Sequence, residues 1–330
     1  MEAGFTHPFA KLSPELVIAA VESSGLSSDA RILALNSYEN RVYQVGVEDA
    51  SPVIVKFYRP QRWSSAQIQE EHDFSLELAD LEIPVVPPLR QSDGHSLLEF
   101  EGFRFAIFER KGGHAPEFDR PDNLRVMGRF LGRLHQAGAM QEFQTRPAFT
   151  IERFAEQSAA YLLEHDFLPL ELREAYESLS QDLISRMHVL ERESSKPRFI
   201  RVHGDCHVGN VLWRDGAAHF VDLDDCMMAP ALQDLWMLLS GERQQRMRQL
   251  ALLIEGYDEF YHFNPAELVL MESFRTMRLM NYSAWLARRW DDPAFPLNFP
   301  WFNTSKYWAE HILELREQLA ALDEPPLHLY

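Results

Sequence analysis

HGDCHVGNVLWRDGAAHFVDLDD, residues 203–225, gathers aspartates and histidines around a short apolar hairpin pattern, an arrangement that packing alone disfavours. Asp215-Gly216 lies between Val211-Leu212-Trp213 and His219-Phe220-Val221, the strongest short-range signature of a two-residue hairpin turn. Such a turn faces Asn210 to Val221 and Gly209 to Asp222, so Asn210 and Asp222 become diagonal neighbours at the hairpin's open end. An amide oxygen beside a carboxylate is half of an all-oxygen site for a hard cation such as Mg2+, which takes few protein ligands and completes its shell with phosphate oxygens. Asp205, on the loop just before, falls beside that ion, either as a third ligand or as the carboxylate that orients an attacking hydroxyl and accepts its proton. Turn chemistry accounts for any one of these residues alone. Together they need a cation, because closely placed carboxylates repel one another. Zinc, through His203, Cys206, His207 and Cys226, is the competing metal, but the spacing matches no paired-ligand pattern.

The surrounding chain sets the frame. Its 330 residues exceed the usual size of a single core, so two lobes are expected. With 46% hydrophobic and 25% charged residues it reads as an ordinary globular protein. A net charge of -18 opposes nonspecific attraction to nucleic acid or anionic membrane. The opening stretch MEAGFTHPFAKLSPE lacks a signal-peptide pattern, no apolar run approaches a membrane span, and Cys206 and Cys226 are too few for a disulfide framework. A cytoplasmic monomer is expected, without nucleic-acid or membrane partners.

The first 110 residues predict a small α+β lobe: a leading helix from Ser13-Pro14-Glu15 to Gly25, strands at 41–47, 53–58, 96–100 and 103–108, and one helix at about 64–81. Lys111-Gly112-Gly113 marks a flexible connection, so residues 1–110 form the nucleotide lobe and 111–330 the catalytic and substrate lobe. Beyond it, helical spacing runs through 123–138, 151–164, 170–190, 230–253, 265–290 and 305–322, and the opening hairpin is the single β signal.

The run from His203 to Asn210 resembles the HGDxHxGN catalytic loop of the aminoglycoside phosphotransferase-like kinases, and residues 221–225 resemble their metal-binding segment. Residues 35–41, 55–60, 233–239 and 292–296 extend the likeness over nearly the whole chain, toward a bacterial branch described as cytoplasmic serine/threonine protein kinases of a stress response. The resemblance implies the bilobal protein-kinase-like fold, ATP between the lobes, Asp205 as catalytic base, and Asn210 and Asp222 as Mg2+ ligands. It also implies a nucleotide lysine with an acidic partner. Lys56 stands inside the apolar strand Val53-Ile54-Val55-Lys56-Phe57-Tyr58, where an inward charge needs a partner. On the following helix Glu71 shares the face of Ile68, Phe74 and Leu78, whereas Glu70 turns toward solvent. A Lys56–Glu71 pair at the ATP phosphates fits both patterns.

One departure concerns the phosphate cover: residues 36–41 contain no glycine. Ser37, Tyr38, Asn40 and Arg41 either supply side-chain donors there or form a plain loop. The adenine would meet backbone groups of Phe108, Glu109 and Arg110. His203, His207, Asp224 and Asp234 look supporting, with Asp234 similar to the family's buried brace of the catalytic loop and Asp224 a further candidate metal ligand; His135 reads as a satisfied core histidine. Arg275, Arg278, Tyr282, Trp285 and Arg289 share one helix face, a stripe that favours a neutral or acidic acceptor, unless it is merely paired and packed. The expected activity is ATP- and Mg2+-dependent phosphorylation of serine or threonine in protein substrates. The alternatives are a small-molecule kinase of aminoglycoside, homoserine or choline type, and a nucleotide-binding pseudokinase that regulates a partner.

Overall fold

In the computed structural model, which describes residues 7–329, two lobes meet at a deep cleft. Residues 1–6 of the stretch considered for a signal peptide lie outside the described residues. Helix α1 (Pro14–Ser23) starts where the Ser13 hydroxyl accepts from Leu16 N at 3.3 Å with Pro14 in the first turn, and it buries Val17, Ala20 and Val21. Strands β1 (Ser28–Leu35), β2 (Arg41–Val47), β3 (Val53–Phe57), β4 (Leu98–Phe100) and β5 (Phe103–Glu109) form one antiparallel sheet in the order β1-β2-β3-β5-β4. Strand β1 is an addition to the sequence-based expectation. It is an edge strand with a bulge near Ala30 (φ 63°), and its exposed Leu33 and Leu35 break the alternation that marks a strand. Helix α2 (Ser65–Asp80) carries a full capping box, Ser64 Oγ accepting from Gln67 N at 3.2 Å and Gln67 Oε1 from Ser64 N at 2.9 Å.

The larger lobe is built from α3 (Pro121–Gly138), α4 (Gln157–Glu164), α5 (Leu170–Glu193), α6 (Leu232–Trp236), α7 (Arg243–Tyr257), α8 (Met271–Ala287), α9 (Ala294–Asn298) and α10 (Ser305–Ala321). Three helical runs are shorter than their periodicity suggests. The 230–253 run breaks between α6 and α7, where Gly241 sits at φ 81°. The 151–164 run opens as a wide π turn at Glu152–Glu156, and the 265–290 run opens as a tight 3-10 segment at Pro265–Leu270, capped by Asn264. A second small sheet was also missed: β6 (Ile200–Val202) pairs with β9 (Met227–Ala229), each only three residues long and buried, too short for a periodic signal.

The hairpin forms as expected, β7 (Val211–Arg214) against β8 (Ala217–Phe220), with Val211 opposite Phe220 and Asp215 and Gly216 at φ 52° and 75° in the turn. Val221 N donates to Asn210 O at 3.0 Å, so the ladder extends one pair further before Asp222 turns into the left-handed region at φ 60°. The stretch 83–89 links the lobes, with Val86 N donating to Phe220 O at 3.1 Å and Leu89 N to Ile107 O at 2.7 Å.

Candidate active site

Lys56 lies on the central strand β3, opposite Val42 of β2 and Ala106 of β5, and is buried. Its ammonium meets Glu71 Oε1 at 3.3 Å, Asp222 Oδ1 at 2.9 Å and Asp224 Oδ1 at 3.2 Å. Burial opposes its charge, but the carboxylates of Asp222, Asp224 and Glu71 outweigh that cost and keep it protonated well above the ordinary lysine range. Burial acts the opposite way on Glu71, whose carboxyl is raised. The helix bearing Glu71 is anchored from the other lobe. Glu70, read as a solvated charge, is at the surface but accepts from Gln144 N at 2.6 Å, Thr145 Oγ1 at 2.7 Å and Arg146 N at 2.9 Å, while Arg146 Nη1 donates to Gln67 O at 3.0 Å.

The catalytic-loop candidates are set by one buried acid. Asp234 Oδ2 accepts from His203 N at 2.8 Å and meets His135 Nε2 at 2.9 Å, and its Oδ1 accepts from Gly204 N at 2.9 Å. His135 is thereby more than a filled core position: it braces the brace, with Tyr257 Oη on its other nitrogen at 2.7 Å. His203 Nε2 meets Val221 O at 2.9 Å, tying the loop to the strand before Asp222. Gly204 (φ 85°) admits no side chain, because a Cβ would run into the Asp225 carbonyl. Asn210 Nδ2 donates to Asp205 O at 3.0 Å and approaches Asp205 Oδ2 at 3.3 Å. Asp205 itself takes Arg278 Nη1 on Oδ1 at 2.6 Å and His207 Nε2 on Oδ2 at 3.4 Å. Burial works against the ionised carboxylate, yet the His207 hydrogen bond and the Arg278 charge win and hold Asp205 far below the usual carboxylate range.

The donor set suits a divalent cation. Four carboxyl groups, Glu71, Asp222, Asp224 and Asp225, cluster around three cations, Lys56, Arg62 and Arg146, so oxygen donors are plentiful. The Asp222 side chain, 54% exposed, is the most open of these four, and Asn210 directs its amide nitrogen to Asp205, which leaves its oxygen free to ligate a cation. Asp224, a further candidate at the metal, is buried and bonded by Arg62 and by Asn40 Nδ2 at 3.1 Å. Among the described residues no group of three or more His, Cys, Asp or Glu could hold a metal ion. Cys206 and Cys226 are buried thiols whose ionisation burial pushes up.

The loop 36–41 is held by side chains in place of glycines. Asn40 Oδ1 accepts from Arg59 N at 3.0 Å, Ser37 Oγ donates to Asn40 O at 3.1 Å, and Glu39 pairs with Arg59 at 3.1 Å and Arg289 at 2.5 Å. Asp292 receives Arg41 at 3.1 Å and Arg59 at 2.7 Å, so the cover is strapped to the large lobe. Phe108 and Glu109 line the cleft, and the Arg110 guanidinium turns to Gln44 at 2.8 Å. Arg62, Arg146, Glu39 and Asp225 were missed as site residues. Arg62 and Arg146 are ordinary charged residues in their local sequence, whereas Glu39 and Asp225, like Arg59 and Asp292, lie in segments that bear the family likeness.

The cleft encloses about 1740 Å³ and brings Lys56, Asp205, Asn210 and Asp222 to one volume. A small antiparallel lobe with a buried lysine–glutamate pair, facing a braced aspartate loop on a helical lobe, defines a kinase-like phosphotransferase. The chain belongs to the phosphotransferase enzyme family, whose model matches residues 31–269. It is 44% identical over 321 residues to stress response kinase A of Escherichia coli O157:H7, covering 97% of each chain. It is likewise 44% identical, with the same coverage, to a Salmonella typhimurium protein named serine/threonine protein kinase RdoA. Among solved structures, an amicoumacin kinase in complex with AMP-PNP and Ca2+ shares the fold at TM-score 0.72, 21% identity and 94% coverage of each chain. Among the described residues no helix is long and apolar enough to cross a membrane.

Proposed function

We propose that this phosphotransferase moves the γ-phosphoryl group of MgATP to a serine or threonine hydroxyl of protein substrates, in a bacterial stress response. The observation that carries the reading is Asp205, ionised, on a loop fixed by Asp234 and open to the cleft that also holds Lys56 and Asp222. The name of one 44%-identical relative, a serine/threonine protein kinase, supports a protein acceptor, and the name of another supports the stress response. In this reading Asp205 orients the acceptor hydroxyl and takes its proton, and the approach of that hydroxyl exchanges the Arg278 contact on Oδ1. Asn210 and Asp222 would hold Mg2+, which supplies charge neutralisation at the transferring phosphate. Lys56, positioned by Glu71, neutralises the remaining phosphate charge, and the strapped loop 36–41 keeps water from the phosphates.

The test is phosphate transfer from radiolabelled ATP across a panel of protein, peptide, amino-alcohol, sugar and aminoglycoside acceptors. Proteins or peptides are expected to be labelled on serine or threonine. Labelling of a metabolite or antibiotic alone, or tight MgATP binding with no turnover, would refute the reading. Asp205→Asn is expected to lower kcat at least about a hundredfold while ATP still binds.

A further inference from the structure

In a chain of net charge -18, the cleft is rich in arginine, with Glu314 and Glu317 also in its lining. Arg275 and Arg278 on α8, Arg288 and Arg289 just beyond it, and Arg153 on the facing π turn all line the cavity that contains Asp205. Three of them have acid partners: Arg275 with Glu272 at 3.7 Å, Arg278 with Asp205 at 2.6 Å and Arg289 with Glu39 at 2.5 Å. Arg153 and Arg288 have none within ion-pair distance among the described residues. The Arg288 guanidinium donates to Gln157 O at 3.1 Å and lies 5.0 Å from the Tyr161 ring centroid, which fixes its direction without neutralising it. Desolvation lowers the proton affinity of both groups; the neighbouring Arg289 charge lowers Arg288 further, while the Asp225 carboxylate offsets part of the loss at Arg153. Surface acids are plentiful in this chain, so two guanidiniums lining its cleft without an ion-pair partner within 4 Å among the described residues mark a place that receives an anion.

Resting on the proposed phosphoryl transfer to a hydroxyl, we infer that the acceptor is anionic next to that hydroxyl, carrying carboxylates that seat on Arg153 and Arg288. Arg278 belongs to the same recognition. It exchanges Asp205 for an acceptor carboxylate as the hydroxyl arrives, so an acidic acceptor both binds and frees the base. A cationic acceptor meets repulsion from the same wall and leaves Arg278 on Asp205.

The experiment uses three peptides sharing one central serine, flanked by glutamates, alanines or lysines, with MgATP and the full chain. The expected kcat/KM order is Glu over Ala over Lys, with about tenfold between successive peptides. The Arg153→Glu/Arg288→Glu double variant is expected to reverse that order, with KM for ATP and the thermal midpoint unchanged. As a readout independent of turnover, a labelled Glu-flanked peptide with alanine in place of serine, followed by fluorescence anisotropy with MgAMP-PNP present, is expected to bind about tenfold more weakly to the variant. The inference is overturned if the Glu-flanked peptide is used or bound no better than the Ala-flanked one, or if charge reversal shifts only KM for ATP. If no peptide accepts phosphate, the protein-kinase reading falls by itself; turnover of small hydroxy acids in preference to amino alcohols then still supports the anionic acceptor, and the opposite preference sinks it.

Discussion

Replacing Asp234 by asparagine tests how the catalytic loop is held. The buried carboxylate receives three donors, His203 N and His135 Nε2 on one oxygen and Gly204 N on the other, all between 2.8 and 2.9 Å. An amide has one acceptor oxygen. Placed toward His203 and His135, it points its NH2 at the Gly204 N–H; reversed, it abandons the other two donors. The favourable orientation loses one hydrogen bond to a charged acceptor, about 1.5–3 kcal/mol, and leaves a buried donor unsatisfied at about 1–3 kcal/mol. The two remaining bonds lose their charge assistance. Asp234→Asn is therefore expected to cost about 3–5 kcal/mol. Urea unfolding measures the stability, and phosphate transfer alongside ATP-analogue binding separates loop placement from nucleotide affinity. Activity is expected to fall far more than nucleotide binding, because Lys56 and Asp222 do not touch Asp234. A loss of under about 1 kcal/mol, with kcat within about threefold of wild type, would refute the bracing argument.

Glu267 offers a pH-dependent test. It is buried, accepts from Leu232 N at 3.2 Å, and burial raises its carboxyl from 4.5 to about 7. The unfolded chain ionises first, so the folded state binds the extra proton and stability declines as pH rises from 4.5 through 7. Glu267→Gln is expected to match wild type below that window and to exceed it above pH 7, by up to about 3 kcal/mol, in thermal unfolding followed across pH. Gly128→Ala, ordinarily stabilising within a helix, is expected to cost about 3 kcal/mol or more, since the added Cβ would overlap the Leu253 carbonyl where α3 crosses α7; denaturant midpoints check it.

Much of this molecule was legible locally. The Asp215-Gly216 turn fixed the register that brings Asn210 and Asp222 to one end of the hairpin, and a strand period of two with a helix period near 3.6 set Lys56 and Glu71 on inward faces. These follow from residues a few positions apart, which share one element and therefore one geometry. Strand β1 was not legible, because a bulged edge strand has no buried face to impose alternation. Asp224 illustrates a subtler limit: its sequence position suggests a metal ligand, while its partners, Lys56, Arg62 and Asn40, come from the other lobe.

The sequence by itself determined the two-lobed α+β architecture and which oxygen and nitrogen groups the site contains, since periodicity and turn chemistry are written in neighbouring residues. Only the tertiary structure decided how those charges are shared. Arg59 meets Asp292 across 233 positions and Arg278 reaches Asp205 across 73, and which guanidinium answers which carboxylate is set by where helices and strands pack, not by the spacing of either residue along the chain.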